Sequence, residues 1–455
     1  MFWTIIRREF LDHVMNFRFF AIFALTIILM TVSVVVFSAN YEKTMKERRP
    51  WVTSYVNDDG KTELYMAPCT FGVIGRTPTV LSFCSGMAEK ELPNQAGIEL
   101  NRLNSISKNP KIGELISDSK FLDWAFIVSV ILSFAAGLLT YKSVSGERRD
   151  GTLTLVLSNP LPRSVLLLAK YSAAMLALTL ALLSAIIFSL ITLQVIGSVS
   201  LAGDDFLKIA LFGGISLLFL SIFVFLGLIC SVFTQSPLIS AVTFLFNWII
   251  LVFVIPNMGG IVAGMIGRID TPLQVSQKAE AIDTKYPMLP GMTFSDEAQV
   301  RLERKGAQEQ LLMEYIQSLV NQVNIGRDIT RISPASTFSY AAESVTGNGT
   351  IRFKNYLNNV KRYRENIFQA VLGADKKDTA SQHIYMPNSC GGDNFSKETV
   401  DLGNVKEFQD PPPTSKESLD ATVKDIAALV LFNMIFFTLA FWIFTRMDVA
   451  PAPGA

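Results

Sequence analysis

The sequence is poor in the residues that usually carry chemistry. It has two histidines, His13 and His383, and four cysteines, with no CxxC or zinc-type spacing among them. A His-rich metal site is therefore not expected. No HExxH and no GxSxG is present, so neither zinc-protease nor nucleophile-elbow hydrolysis is indicated. The DGKT of 59–62 imitates the end of a phosphate loop, but Tyr55 stands where that loop needs glycine. Charge is scarce too: 17% of residues are charged against 50% hydrophobic, and the net charge is +1. Such a balance gives no ground for a nucleic-acid partner. Between Ile209 and Gly267 there is no Asp, Glu, Lys, Arg or His. A proton-driven carrier needs a membrane-buried acid, and sodium coupling through backbone carbonyls is disfavoured here as well. If the protein moves a substrate, the energy is expected from elsewhere.

Long apolar runs are abundant instead, and the mean hydropathy is +0.36. A membrane span needs roughly 20 apolar residues. Six stretches qualify: 19–38, 123–142, 165–196, 207–234, 238–267 and 426–445. The fold class is therefore an α-helical polytopic membrane protein with six transmembrane helices. Residues 1–18 read as an amphipathic interfacial helix, with Phe2, Ile5, Ile6, Phe10, Val14 and Phe17 at helical spacing. The same stretch, IRREFLD before an apolar run, imitates a twin-arginine export signal. The run is long enough to span and five more follow, so export is rejected.

Short flanks set orientation. Arg7, Arg8 and Arg18 lie before the first span, Lys142, Arg148, Arg149, Arg163 and Lys170 around the 143–164 loop, and Arg446 before the 446–455 tail. With both termini inside, all of them fall on the cytoplasmic side. The expected location is a bacterial cytoplasmic (inner) membrane. The long segments 39–122 and 268–425 then form a mixed α/β extracytoplasmic region. SYVNDDGKTELYM predicts a hairpin around Asp59–Gly60. Cys69 and Cys84 are candidates for a disulfide, the alternative being two separate buried thiols, and Cys390 is unpaired or joins one of them. Cys230 is expected to be a free packing residue. Leu311, Tyr315, Leu319 and Val323 mark a long amphipathic helix, and 351–372 is a second helical stretch. Asn348 and Asn394 begin glycosylation-type triplets, a pattern common by chance.

The cytoplasmic loop carries the most informative polarity. SGERRDGTLTLVLSNPLPR places Glu147, Arg148, Arg149 and Asp150 just past the second span, then Gly151 and Thr152. Leu153, Leu155, Val156 and Leu157 form an apolar patch, which Pro160 and Pro162 end before Arg163. A short helix with a charged rim and an apolar face suits a cleft on a partner. Leu153 and Leu157 are the expected anchors, with Glu147 and the Arg148–Arg149 pair on the rim.

This loop resembles the coupling-helix region of ABC-2 type permeases, through Glu147, Arg148, Gly151, Thr152, Leu153, Pro160, Arg163 and Lys170. Thr154 departs where the family often has Glu, and Ala169 where it often has Gly. The N-terminal RREFLDHVMNFRFF resembles the family's elbow helix. ISPASTFSYAAESVTGNGT and the last span resemble an enlarged subgroup with two extracytoplasmic insertions, related to nitrous-oxide-reductase maturation and gliding-motility permeases.

The resemblance implies a type V exporter-like fold and a membrane subunit that is not catalytic alone. It implies no cofactor in this chain, ATP and Mg residing on two copies of a separate ABC ATPase. It also implies a second permease chain, as homodimer or paralogous heterodimer, spans one and five packing across the pair and spans two and five lining the path. Thr243, Asn247 and Asn257 on span five are candidate pathway residues, the alternative being ordinary helix–helix hydrogen bonding. Membrane lipid and an extracytoplasmic protein are further expected partners. Two other functions fit the sequence: ATP-driven mechanotransmission to that extracytoplasmic partner, and an ATPase-independent sensor or receptor.

Overall fold

Helix starts are written into the chain as capping residues, and the elements follow from them. In the computed structural model, residues 2–47, 51–53, 61–64, 71–86, 92–100, 102–107, 123–158, 162–266, 269–379, 398–401, 405 and 408–447 are described. Helix α1 (Phe2–Val14) turns at Asn16, whose side chain accepts from Arg18 N and opens α2 (Phe17–Glu47). Asp123 caps α3, which runs from Trp124 to Thr140 through a π-helical segment, Ile127–Leu132. Two short helices follow, α4 (Ser145–Arg149) and α5 (Thr152–Leu157). Helix α6 (Arg163–Ile196) ends at Gly197, whose φ of 68° glycine adopts at little cost. Next come α7 (Gly203–Phe233) and α8 (Pro237–Ile266), joined by a tight turn with Pro237 in the first turn of α8. A second π segment, Ile250–Val254, interrupts α8.

Helices α9 (Pro272–Lys285), α10 (Phe294–Thr330) and α11 (Pro334–Val345) start at Thr271, Thr293 and Ser333, whose hydroxyls accept from the first-turn amides. Helices α12 (Gly349–Asp375) and α13 (Ser415–Arg446) complete the helical set. Among the described residues six helices, α2, α3, α6, α7, α8 and α13, are long and apolar enough to cross a membrane. Each overlaps one of the six expected stretches, and α13 begins at Ser415, well before the expected 426.

Helix α7 is the hub of the bundle, packed by α3, α6, α8, α11 and α13. Small residues let α3 approach both α7 and α8. A Cβ on Gly137 would lie 1.9 Å from the Phe244 ring, and one on Gly227 2.0 Å from Thr140 Oγ1. Trp248 Nε1 donates to Ser133 Oγ at 2.8 Å, which links the two helices that carry π segments. These are the close approach and the polar cross-link that membrane helices use in place of a hydrophobic drive.

The non-membrane region sits at one end of the bundle. Strands β1 (Trp51–Thr53), β3 (Phe71–Gly75), β4 (Gln95–Glu99) and β5 (Arg102–Ser107) form an antiparallel sheet in the order β1-β3-β4-β5. Strand β2 (Lys61–Glu63) pairs instead with β6 (Thr399–Asp401). The hairpin expected around Asp59–Gly60 is therefore not the pairing found, because β1 and β2 each pair with a later strand. Residues 59 and 60 themselves lie outside the described residues. A second core joins the sheet to α10 and α12 through Ile74, Ile98, Ile316, Val320, Phe353 and Tyr356. The inward stripe of α10 is Leu312, Ile316, Val320 and Val323; Val323 was expected, and the other three stand one position on from the expected Leu311, Tyr315 and Leu319. Arg352 and Asp410, both buried, close this core with bonds of 2.9 and 2.7 Å.

The structure bears on three further expectations. Asn348 is fully buried, accepts from Thr79 Oγ1 at 2.7 Å and donates to Ser85 O, so it is no glycosylation acceptor in the folded chain. Cys84 is a free thiol, sealed against the head of α3, where its carbonyl accepts from Ala125 N at 2.9 Å. Burial pushes that thiol well above its ordinary pKa. The expected partner Cys69, like Cys390 and Asn394, lies outside the described residues. Helix α11, expected within the outer segment, belongs to the span core. Phe338 stacks on Phe219 of α7 at 4.5 Å, and Ala335, Ala341, Ala342 and Val345 are buried in the same cluster. Ser333 Oγ donates to Leu251 O inside the π segment of α8.

Candidate functional site

At the other end of the bundle, the entry to the loop of 141–158 is held by hydroxyls. Val144 N and Ser145 N both donate to Ser231 Oγ on α7, at 2.9 and 3.0 Å. Ser240 Oγ on α8 donates to Tyr141 O at 2.6 Å. The entry to the loop is therefore fixed to spans four and five. Gly151, at φ 71°, reverses the chain between α4 and α5, which is the conformation glycine adopts most readily.

Helix α5 is two-faced. Leu153 is 1% exposed and packs into the span core, with Val156 and Leu157 half-buried beside it. Leu155 is 69% exposed, and Thr152, Thr154 and Ser158 share its solvent side. Of the expected anchors, Leu153 is packed into the protein's own core and Leu157 is half-buried, while Leu155 is the leucine presented outward. Positions 153, 156 and 157 are spaced i, i+3 and i+4, so helical periodicity alone puts Leu155 on the opposite face.

The polar run divides in the same way. Arg149 and Asp150 are exposed and pair at 3.0 Å. Arg148 is 8% exposed, so it is not a rim residue. Glu147 turns inward, where its Oε1 takes a 2.6 Å bond from Lys170 Nζ. Lys170 also donates to Glu9 of α1 at 2.8 Å and is itself 2% exposed. Arg163 Nη1 donates to the carbonyls of Thr445 and Met447, each at 2.9 Å, and caps the end of α13. Pro160 lies outside the described residues.

Helix α1 lies along α6, with Ile6 buried, and Arg18 Nη1 donates to Tyr141 OH at 2.9 Å. Between α1 and the loop is a polar cavity of about 910 Å³ whose walls include Arg8, Asp12, His13, Lys142, Glu147 and Lys170. Burial lowers the pKa of the His13 imidazole, against the opposing pull of Glu9, so burial favours its neutral form. The result is one surface made of α1, α4, α5 and the ends of α6 and α13.

The candidate pathway residues lie apart from it on α8. Asn247 Nδ2 donates to Thr243 O at 2.8 Å and Asn257 Nδ2 to Phe253 O at 2.7 Å, both within the helix. Thr243 and Asn247 are half-buried and Asn257 is exposed. Around them α8 shows Leu238, Val242, Phe246, Ile261 and Met265 to the outside of the single chain. Sequence reasoning had not found the Glu9–Lys170–Glu147 contact, the outward Leu155 or the insertion of α11. Of these, only Leu155 had a local signal, the periodicity just given.

Six apolar helices, with α7 buried among them, and a two-faced loop at one end define a multi-pass membrane protein. The family described as ABC-2 family transporter protein matches residues 3–449, nearly the whole chain, and the protein belongs to it. No curated protein matches the chain. Membership makes it a membrane permease component of an ABC transporter, a family whose partner in general is an ABC ATPase.

Proposed function

We propose that the chain docks a separate ATPase through α5 and the Arg149–Asp150 rim, and passes the ATPase's motion to the six-span bundle. The observation that carries this is Leu155, a large apolar side chain 69% exposed on a short helix whose other face is locked into the core. Interface anchors have this form: an apolar side chain on a rigid mount with polar groups around it. ATP and Mg reside on the ATPase, and this chain is not catalytic alone. Two permease chains pair, as homodimer or paralogous heterodimer, and each takes one ATPase. The bare face of α8 suits the second chain, and α8 with α3 suits the path, consistent with the family resemblance.

Orientation follows from the same end of the molecule. Arg18, Arg149, Arg163, Lys170 and Arg446 gather on one side of the bundle, the pattern of a cytoplasmic face. Both termini then lie in the cytoplasm of a bacterium, and the sheet region is extracytoplasmic.

A second reading has its own support. The outer region is not loosely tethered: α11 packs in the span core, and α8 meets α10 at Gly259 and Gly326. A Cβ on Gly259 there would lie 2.6 Å from Thr330 Cγ2 and 3.1 Å from Gly326 O. Force from ATP hydrolysis would therefore reach an extracytoplasmic partner as readily as a translocated solute.

Purification of the full chain from its own membranes in mild detergent, with mass spectrometry of bound subunits, tests the docking reading. A nucleotide-binding subunit in about equal amount is the expected result. A stable, folded chain with no such subunit points to an ATPase-independent sensor instead. Transport by reconstituted vesicles of the resulting complex then separates solute export from force transmission.

A further inference from the structure

Lys170 is an unusual investment for a membrane helix. Its ammonium is 2% exposed at the inner end of α6 and bonds to Glu9 at 2.8 Å and Glu147 at 2.6 Å. Those carboxylates come from two different elements, α1 and α4. Around them the contacts are apolar: Ile6 is buried, and Ile5, Phe10 and Val14 pack on the same core as Leu166 and Leu167. A leucine at 170 would hold α1 to α6 at a smaller desolvation cost. Replacement of buried ion pairs by packed apolar residues is often neutral or stabilising, so a buried charge is better explained by the geometry it enforces.

The geometry it enforces is a three-way register. One ammonium with two carboxylates fixes where α1 and α4 stand relative to α6. Glu147 is also only a few residues from the outward Leu155, on the segment that would receive a push. If α4 moved alone, it would leave Lys170 with one partner and a bare carboxylate; if α1, α4 and the end of α6 moved together, all bonds would survive. We propose that Lys170, Glu9 and Glu147 are positioning residues that make α1, α4–α5 and the cytoplasmic end of α6 one rigid lever. Displacement of the loop is then delivered to the third span and the N-terminal helix instead of being absorbed by the loop. This rests on the docking reading for its function, though the rigid lever itself is a property of the chain alone.

The test has one arm for each. In nanodiscs without ATPase, hydrogen exchange of the Glu9→Gln variant should speed up in both 2–14 and 145–149. Acceleration confined to 2–14 would show that the elements are not tied, and would overturn the lever whatever the chain docks. With the ATPase bound, Lys170→Met should keep the subunit while permease-dependent ATP hydrolysis falls about ten-fold, within the usual range of coupling between sites. The conservative exchange Lys170→Arg keeps one cation between the two carboxylates and should hold hydrolysis to within about two-fold of the parent. Wild-type hydrolysis in a folded, ATPase-bound Lys170→Met overturns the proposal. So does a Lys170→Arg variant that folds and binds ATPase but is uncoupled. Should Lys170→Met fail to fold, Lys170→Arg and Glu9→Gln decide the matter by the same readings. Loss of ATPase from the unaltered chain would instead refute docking, and the hydrogen-exchange arm would still judge the lever.

Discussion

Leu153 and Leu155 are two residues apart, and the fold gives them opposite duties. Leu153 is buried at 1% exposure, so Leu153→Ala removes core contacts and should lower permease stability by about 2–5 kcal/mol. Thermal unfolding in detergent measures this, and an unchanged midpoint would mean the loop packs loosely. Arg352 offers a similar test at the opposite end. Asp410, fully buried, is raised in pKa by burial, which the Arg352 guanidinium opposes. Arg352→Ala strands that carboxylate and should cost about 3–5 kcal/mol, whereas losing both partners together should cost less than the two losses added. Additive losses in a double-mutant cycle would argue against coupling. His13 makes the pH test. Its folded pKa lies below the ordinary 6.5, so the unfolded chain takes up the proton first. The attachment of α1 is then fully stabilised above that value and weakens as pH falls through it. His13→Asn should flatten the dependence of the unfolding midpoint between about pH 5.5 and 7.5. An identical slope in the variant would assign the dependence to other groups.

At the level of elements, the spans were legible because their signal is local, and the capping residues carry a local signal of the same kind. Twenty apolar residues and a Thr-Pro-Leu-Gln or Thr-Ser-Lys-Glu start mark a helix without any tertiary knowledge. Three positions of the inward stripe of α10 were missed by one residue because Leu311, Leu312 and Met313 are all apolar, so only the neighbouring sheet selects the face. Strand partners were missed for a related reason: β2 finds β6 more than three hundred residues later, and an Asp-Gly turn signal carries no information about so distant a strand. Helix α11 has an ordinary alanine- and serine-rich sequence, and nothing local says that Phe338 will stack on Phe219. The docking loop was legible as a loop, but the burial of Arg148 and the inward turn of Glu147 depend on α1 and α6. The glycine contacts between α3, α7 and α8 can be tested as elements. Gly137→Leu would drive its side chain into the Phe244 ring, and Gly227→Leu into Thr140. Each should cost about 1–3 kcal/mol by overpacking. Wild-type unfolding midpoints for both would show that the three helices have room between them.

For the whole molecule, the two ends of the bundle have different constructions. One end is a loop anchored by hydroxyls and by the Glu147–Lys170 pair that presents Leu155 outward, and the other is an α/β region pinned into the span core by α11. Motion received at the first has a short mechanical route to the second, since α7 touches α3, α6, α8, α11 and α13. That route requires the loop to be where force enters. The most direct measurement is the ATPase content of the Leu155→Asp variant beside the unaltered chain, together with the unfolding midpoint of each. The side chain is exposed, so the fold and midpoint should hold, while binding should drop by about 2 kcal/mol or more, roughly thirty-fold in affinity. A normally folded Leu155→Asp protein that retains its full complement of ATPase would contradict docking through this loop.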